Sequence, residues 1–338
     1  MKNIFNFATK ELSQDAFLRW LFENYDCENE SVRNVCRSLF DSFTDNKFKG
    51  KKITNLVTVV QWKKIDISIW FEIDGVEQLI VIEDKVGSSI HDKQLERYVE
   101  EINCHNNYWR EKEKQKKHIL EKYVKEEGNV FKIFYKNNVI DEWESKYIKK
   151  LGWKIYDINL LYKLFKDVDT ENNILSDYKE YITNSYFSSI RKQPPSEWDL
   201  ISWHAFFNEY KRSECISNES EMGCYQNEYY YMKFFVKDHE KDYPCFEIRS
   251  RDFSFDNING KCSLIIRVVL YNLEKQPNIE NINQWQSMLK MRGFNLNHRK
   301  DITKLKQIGT IEIRNFENSE IGLINVFNDV STLLSEIF

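Results

Sequence analysis

The sequence predicts an α/β fold for the first 190 residues and an α+β fold for the rest. Three strand-like segments follow one another between two helical patterns, which implies a mixed sheet with helices on its faces. The second of these segments, residues 65–73, alternates apolar and polar side chains, and a period of two is typical of a strand. Pro194 and Pro195 end a later helical pattern, and the order of elements changes after them.

The N-terminal elements can be assigned in chain order. Ser13 and Asp15 suit the start of the first helix, because such side chains stabilise the free N–H groups of a first turn. Asp74 and Gly75 predict a hairpin turn between the second and third strands. Helices are expected over residues 13–25, 32–43, 95–102 and 160–186, and strands over residues 54–62, 65–73, 78–85, 130–135 and 153–158.

Residues 1–190 and 191–338 are expected to form separate domains. In the second, helical patterns cover residues 198–210, 282–291 and 321–338, and strand patterns cover residues 229–236, 245–250, 262–271 and 308–314. Its expected role is to bind substrate, a ligand or a protein partner, and a homodimer through this domain is left open.

Composition excludes several classes of protein. A formal net charge of -4 excludes a globally basic nucleic-acid coat protein, although 49 Lys and Arg residues leave room for local basic surfaces. Seven cysteines without a C-x-x-C spacing argue against a disulfide framework or a zinc knuckle. The sequence shows neither the apolar core of a signal peptide nor a membrane span. We therefore expect a cytoplasmic protein with no membrane partner.

A run of four apolar residues, 79–82, ends abruptly at Glu83, Asp84 and Lys85. Such a run is typical of a buried strand. Glu83 and Lys85 lie two positions apart and therefore share one face of it. Burying both charges costs several kcal/mol per ion unless each has a partner. The segment is therefore either a structural ion pair or an active site that uses both charges.

Asp66 lies about as far before the predicted hairpin turn as Glu83 lies after it. The two carboxylates can therefore lie side by side across an antiparallel ladder, where they repel unless a cation lies between them. Mg²⁺ typically takes one or two carboxylates, and it can polarise a phosphoryl oxygen and acidify a bound water. Lys85 can orient that water and offset developing negative charge. The residues thus suit phosphodiester hydrolysis.

Together with the order of elements, Asp66 and Glu83-Asp84-Lys85 resemble the PD-(D/E)XK nuclease superfamily over about residues 1–160. Gln94-Leu95-Glu96-Arg97-Tyr98 is similar to the Q-h-x-x-Y motif of its RecB-like branch. The resemblance implies a restriction-endonuclease-like core of helix, three strands, helix and strand. One departure is Ile65, which stands where many members have proline before the first acid.

The resemblance also implies a role for each matched residue. Asp66, Glu83 and the backbone carbonyl of Asp84 would bind Mg²⁺, with Mn²⁺ as a substitute, and Lys85 would be the catalytic lysine. Gln94 would position water or phosphate, with Tyr98 in support. Glu11 matches an acid that some members use for metal or water. Bland alternatives are a helix N-terminal acid for Glu11, a surface residue for Gln94, a core residue for Tyr98 and a solvent or helix-cap contact for the Asp84 side chain.

The implied activity is that of a Mg²⁺-dependent nuclease, an endonuclease acting on DNA rather than RNA, in restriction, repair or defence. The alternatives are a non-cleaving module that binds nucleic acid or protein, and an effector nuclease regulated by a ligand. A basic stretch in the second domain is a candidate nucleic-acid contact, because basic side chains suit phosphate groups. It comprises Lys290, Arg292, Arg299, Lys300, Lys304 and Lys306.

Overall fold

A computed structural model describes residues 3–6, 11–88, 90, 93–102, 130–212, 220–225, 228–235, 244–270, 279–296 and 307–337. The chain divides into two compact units, Met1–Phe187 and Ser188–Phe338. No helix in the described ranges combines the length and the apolar character needed to cross a membrane.

The N-terminal unit is built around a mixed five-stranded sheet in the order β1-β2-β3-β4-β5. Its strands are β1 (Ile53–Trp62), β2 (Ile65–Ile73), β3 (Val76–Lys85), β4 (Val130–Lys136) and β5 (Lys154–Tyr156). Its helices are α1 (Glu11–Glu23), α2 (Glu30–Phe43), α3 (residues 94–102), α4 (Glu142–Lys150), α5 (Ile158–Phe165) and α6 (Asn173–Ser189), after a 3-10 turn at Ile4–Asn6.

The strand pairing changes once across this sheet, from antiparallel to parallel. β1, β2 and β3 form an antiparallel meander, whereas β4 runs parallel to β3 and β5 runs parallel to β4. A parallel neighbour requires a crossover, and helix α3 lies in the connection between β3 and β4. The prediction of a mixed sheet flanked by helices is therefore confirmed.

Each face of the sheet has its own apolar core. Ile67, Ile69 and Ile82 pack with α1, α2, α5 and α6 on one face. Leu79 and Val81 pack with α3 and α4 on the other. Successive residues of a strand point to opposite faces of the sheet. A polar side chain near the end of β3 therefore lies against one of these two cores.

Three expected boundaries differ from the structure in ways that its contacts and helix limits explain. The helical pattern over residues 160–186 is two helices, because the side chain of Asn172 accepts a hydrogen bond from the Leu175 amide (3.0 Å) and starts α6 anew. The strand expected to reach residue 158 ends at Tyr156, because Asp157 caps α5 in the same way. The first helix already includes Glu11, so Ser13 is not its cap.

The C-terminal unit is α+β, with helices on one face of an antiparallel sheet. A 3-10 turn at Pro195–Glu197 precedes α7 (Leu200–Arg212), β6 (Ser220–Tyr225), β7 (Tyr229–Phe234), β8 (Pro244–Asp256), β9 (Lys261–Leu270), α8 (Ile279–Met291), β10 (Asn295–Leu296), β11 (Gln307–Glu317) and α9 (Glu320–Ile337). The six strands lie in the order β10-β11-β9-β8-β7-β6. Helices α7, α8 and α9 share a single core with the sheet.

Candidate active site

The register of β2 against β3 brings Asp66 to Glu83. Ile67 pairs with Ile82 in the ladder, so the next position on each strand is Asp66 and Glu83. The Asp66 carboxylate accepts a hydrogen bond from the Asp84 amide (2.9 Å), and the Gln61 side chain donates to its other oxygen (3.1 Å). Asp66 is therefore fixed by two donors beside the end of β3.

Glu83 and Lys85 form a buried ion pair on one face of β3. Their side chains are 0% and 6% exposed. The Lys85 ammonium donates to Glu83 Oε1 and to the Asp84 backbone oxygen (3.2 Å). Glu83 Oε2 is buried and has no hydrogen-bond partner. Only one of the two carboxylate oxygens of Glu83 is therefore hydrogen-bonded.

Burial governs the ionisation of this pair. It raises the pKa of Glu83 to about 8, against the opposing attraction of Lys85 and with added repulsion from Asp66. Burial alone would lower the pKa of Lys85, but the attraction of Glu83, Glu11 and Asp66 outweighs it and raises that pKa. Lys85 therefore stays cationic at neutral pH, while Glu83 is held close to its titration point.

The opposite face of β3 carries a second buried carboxylate, Asp84. The expectation of a solvent or helix-cap contact for its side chain is wrong, because helix α1 covers it completely. The Gln14 amide donates to Asp84 Oδ1, and the Tyr178 hydroxyl lies 3.4 Å from the Gln14 side-chain oxygen. Asp84 Oδ2 has no hydrogen-bond partner. Burial, then repulsion from Asp15, raises the pKa of Asp84.

Asp15 joins the site from α1, and the sequence analysis did not assign it a site role. It is 6% exposed, and its Oδ1 atom has no hydrogen-bond partner. Burial, followed by repulsion from Asp66, raises its pKa to about 7, although a hydrogen bond with Asp84 opposes the rise. The signal in the sequence was a pair of polar residues, Gln14 and Asp15, on the inward face of an amphipathic helix between apolar positions.

Helix α3 brings Gln94 and Tyr98 to the same end of the sheet. The Gln94 amide donates to the Tyr98 hydroxyl (2.7 Å), which donates to the Lys64 backbone oxygen (2.6 Å). Burial, followed by repulsion from Glu83, raises the pKa of Tyr98 to about 12. Tyr98 is thus both a core residue and a neighbour of the acids, and it holds Gln94 in place.

Glu11 lies in the first turn of α1 and reaches the segment after Lys85. The Ser88 hydroxyl donates to its carboxylate (2.6 Å). Glu11 also raises the pKa values of Asp15, Asp84 and Lys85 through its charge. Its charge therefore affects the ionisation of side chains on both faces of β3.

A second buried ion pair lies beside the end of β3, on the neighbouring strand β4 and helix α4. Lys136, which pairs with Lys85 in the parallel ladder, donates to Glu144 (2.9 Å), and both side chains are almost fully buried. Glu144 also accepts from the Ile90 amide (3.2 Å). This pair anchors the chain that leaves Lys85.

The donor set fits a hard divalent cation. Three buried carboxyl oxygens have no hydrogen-bond partner, on Asp15, Glu83 and Asp84. Across the described ranges, no three His, Cys, Asp or Glu side chains converge into a ready-made metal cage. Mg²⁺ does not need one, because it usually binds one or two carboxylates and keeps several waters. Asp66 and Glu83 would supply that number.

The structure describes only two residues of the basic stretch in the C-terminal unit. Lys290 lies in the last turn of α8, and Arg292 forms an ion pair with Glu336 (2.8 Å) on the surface. The other four, Arg299, Lys300, Lys304 and Lys306, lie outside the described residues.

Comparison with protein-family models, with curated proteins and with solved structures finds no match to this chain.

Proposed function

We propose that this chain is a Mg²⁺-dependent nuclease that hydrolyses phosphodiester bonds, with DNA as the preferred substrate. The observation that carries the proposal is the meeting of Asp66, Glu83 and Lys85 at one end of a mixed sheet. Two carboxylates on adjacent strands, with an ammonium paired to one of them, are the groups that metal-assisted phosphodiester hydrolysis uses.

The element order supports a restriction-endonuclease-like core of the PD-(D/E)XK type. Helices α1 and α2 precede an antiparallel meander of three strands, helix α3 follows, and β4 adds parallel to β3. The acids stand at the end of β3 that the crossover helix α3 covers. This arrangement would place Gln94 beside the same acids.

Asp66 and Glu83 would hold Mg²⁺, with the Asp84 carbonyl as a further oxygen donor. When bound, the ion would polarise a phosphoryl oxygen and lower the pKa of a coordinated water. Asp66 is oriented for this by the Asp84 amide and by Gln61. Binding would favour the ionised form of Glu83, since a nearby positive charge lowers the pKa of a carboxyl group.

Lys85 would stabilise the negative charge that develops during hydrolysis. Its ammonium is held by Glu83 and by the Asp84 carbonyl, and its raised pKa keeps it cationic. A preorganised positive charge in a site that excludes water lowers the energy of a negatively charged transition state. Gln94 would then orient water or a phosphate oxygen, with its amide fixed by Tyr98.

The test is a cleavage assay with supercoiled plasmid, single-stranded DNA and RNA, in Mg²⁺, Mn²⁺ or EDTA. Glu83→Gln and Lys85→Ala are each expected to lower the rate at least about 100-fold. Lys146→Ala is the matched control, because Lys146 follows Glu144 at the same spacing but is 75% exposed and pairs with Glu142. It should cut like the wild type.

Cleavage that survives in EDTA, or in both site variants, would show that the metal and these side chains are not the machinery. Failure of the wild-type protein to cut any of the three substrates would favour a non-cleaving binding module. Cleavage of RNA but not DNA would change the substrate and leave the site assignment in place.

A further inference from the structure

The C-terminal sheet has a second face, opposite the core that it shares with its helices, and one part of this second face is buried at Phe235, Cys245 and Val269. Helices α7, α8 and α9 all contribute to the core on the other face, together with Tyr230 and Met232 of β7. Side chains alternate along a strand, so Tyr229, Tyr231 and Lys233 point away from that core. We call the side chains of Tyr225, Tyr229, Tyr231, Lys233, Arg249 and Arg251 the open face.

Planar groups are stacked along the open face. The rings of Tyr225 and Tyr229 lie 5.3 Å apart at an interplanar angle of 24°. The Arg251 guanidinium lies 3.9 Å from the Tyr229 ring centroid, and the Arg249 guanidinium lies 5.4 Å from it. Tyr225 is 47% exposed and Arg251 is also exposed. The two ends of the stack are therefore accessible to a ligand.

A further ring is held flat against the same face. The Tyr231 ring lies over Gly223, where an added Cβ would come within 2.5 Å of the tyrosine oxygen and 2.7 Å of Cζ. The Lys233 ammonium lies 4.8 Å from the centroid of this ring. Glycine thus makes room for an aromatic surface lying along the sheet, beside a positive charge.

Three acids on or beside this face are paired with basic side chains, and one of them is Glu221, whose carboxylate lies 4.0 Å from the Lys233 ammonium. The Glu247 carboxylate forms an ion pair with Arg249, and the Asp252 carboxylate accepts two hydrogen bonds from Arg267 (2.6 and 2.7 Å). Arg251 is the guanidinium that stacks closest to a tyrosine ring, and it is exposed. Guanidinium groups suit phosphate in both charge and geometry.

We propose that the open face binds single-stranded nucleic acid, with bases stacking on the exposed ring of Tyr225 and phosphates contacting Arg251, while the buried Tyr229 supports both side chains. Aromatic side chains stack on any base, which gives affinity without sequence preference. Unpaired bases can be splayed onto such a surface, whereas those in a duplex already stack on their neighbours. The binding requires neither metal nor cleavage, so it can be tested apart from the proposed nuclease activity.

The experiment measures binding of fluorescent oligo-dT and oligo-U to the full chain in EDTA by fluorescence anisotropy. Tyr225→Ala and Arg251→Ala are each expected to weaken binding at least about fivefold. Tyr225→Phe should bind like the wild type, because the stacking surface is kept. Arg251→Ala should also reduce the slope of log affinity against log salt by about 0.7, and Tyr225→Ala should not.

Two control variants separate this face from general surface effects. Trp143→Ala removes an aromatic residue that is 66% exposed on α4, and Arg37→Ala removes a surface arginine from α2. Neither should change affinity. The assay contains EDTA and measures binding alone, which distinguishes a failed nuclease proposal from a failed binding proposal.

The proposal is overturned if wild-type protein binds neither oligonucleotide, or if Tyr225→Ala and Arg251→Ala both bind as tightly as it does. It is also overturned if the control variants lose affinity equally. Because Tyr225 and Arg251 are exposed, their variants should keep the thermal unfolding midpoint of the wild type, which checks that a loss of binding is not a loss of folding.

Discussion

Raising the pH of the metal-free protein should lower the free energy of unfolding of the N-terminal unit. The cause is Glu83, whose pKa rises from an ordinary value of 4.5 to about 8 on burial. Between these two pH values the folded protein keeps a proton on this carboxyl group, while the unfolded chain has released it. The folded state binds more protons, so its stability falls as the pH rises through this window.

The size of the effect follows from the same pKa. Each pH unit across the window changes the free energy of unfolding by about 1.4 kcal/mol for one proton. For Glu83 the loss between pH 4.5 and about 8 is therefore on the order of 4 kcal/mol, and its side chain has no exposed area to be screened. Asp15, with a pKa near 7, adds to the slope over the lower part of the window.

Urea denaturation of the full chain at a series of pH values measures this slope, with and without Mg²⁺. Glu83→Gln should reduce the slope by the contribution of one proton, because glutamine does not titrate, while Asp15 and Asp84 continue to contribute. Mg²⁺ should flatten the wild-type slope, since the cation favours the ionised carboxylates, and it should do less in Glu83→Gln. Glu144→Gln is the control: it removes another buried, lysine-paired carboxylate and should leave the response to Mg²⁺ unchanged.

A slope that is the same in wild type and Glu83→Gln would refute the argument that burial keeps this carboxyl group protonated. An equal response to Mg²⁺ in both proteins would separately refute Glu83 as a ligand. The two results are independent, because the first concerns protons and the second concerns metal.

Three further predictions concern single side chains. Tyr98→Phe removes the donor to the Lys64 carbonyl and the acceptor for Gln94, so the cleavage rate should fall several-fold, as single-turnover assays would show, while the fold is kept. Asp15→Asn removes a carboxyl group whose pKa rises from 3.8 to about 7 on folding, so the loss of stability between these two pH values should be smaller in urea titrations. Arg191→Ala breaks a mostly buried contact with Glu209 and Glu320 and should cost about 2 kcal/mol of C-terminal stability by denaturation, whereas the exposed Arg314→Ala should change nothing measurable.

The sequence was most informative where a single periodicity applied. Residues 65–73 alternate strictly, and β2 has those bounds in the structure. The hairpin signal at Asp74 and Gly75 set the register, which is why Asp66 and Glu83 could be placed together from spacing alone. The prediction of one long helix over residues 160–186 was wrong, because the apolar spacing continues across the break between two helices that the Asn172 cap makes.

The sequence was least informative about the α1 side of the site. Spacing along β3 puts Asp84 on the face away from Glu83, and nothing local shows what covers that face. Helix α1 covers it, and the Gln14 amide meets Asp84 there from 70 residues away in the chain. Contacts of that separation depend on how layers pack, so neither Gln14 nor Asp15 could be assigned to the site from local pattern.

The excess of acids is the strongest argument against a purely structural ion pair at Glu83 and Lys85. A structural pair needs one carboxylate for one ammonium. Here five carboxyl groups lie close enough for their charges to affect the ionisation of their neighbours: Glu11, Asp15, Asp66, Glu83 and Asp84. Within the described ranges, Lys85 is the cation whose charge lowers the pKa values of Asp15 and Glu83. Burial is the main cause of the raised pKa values of Asp15, Glu83 and Asp84, and repulsion among the acids adds to it, so protons relieve part of this repulsion. A divalent cation would relieve the same repulsion without protons, and it would bring to this site the charge that phosphodiester hydrolysis requires.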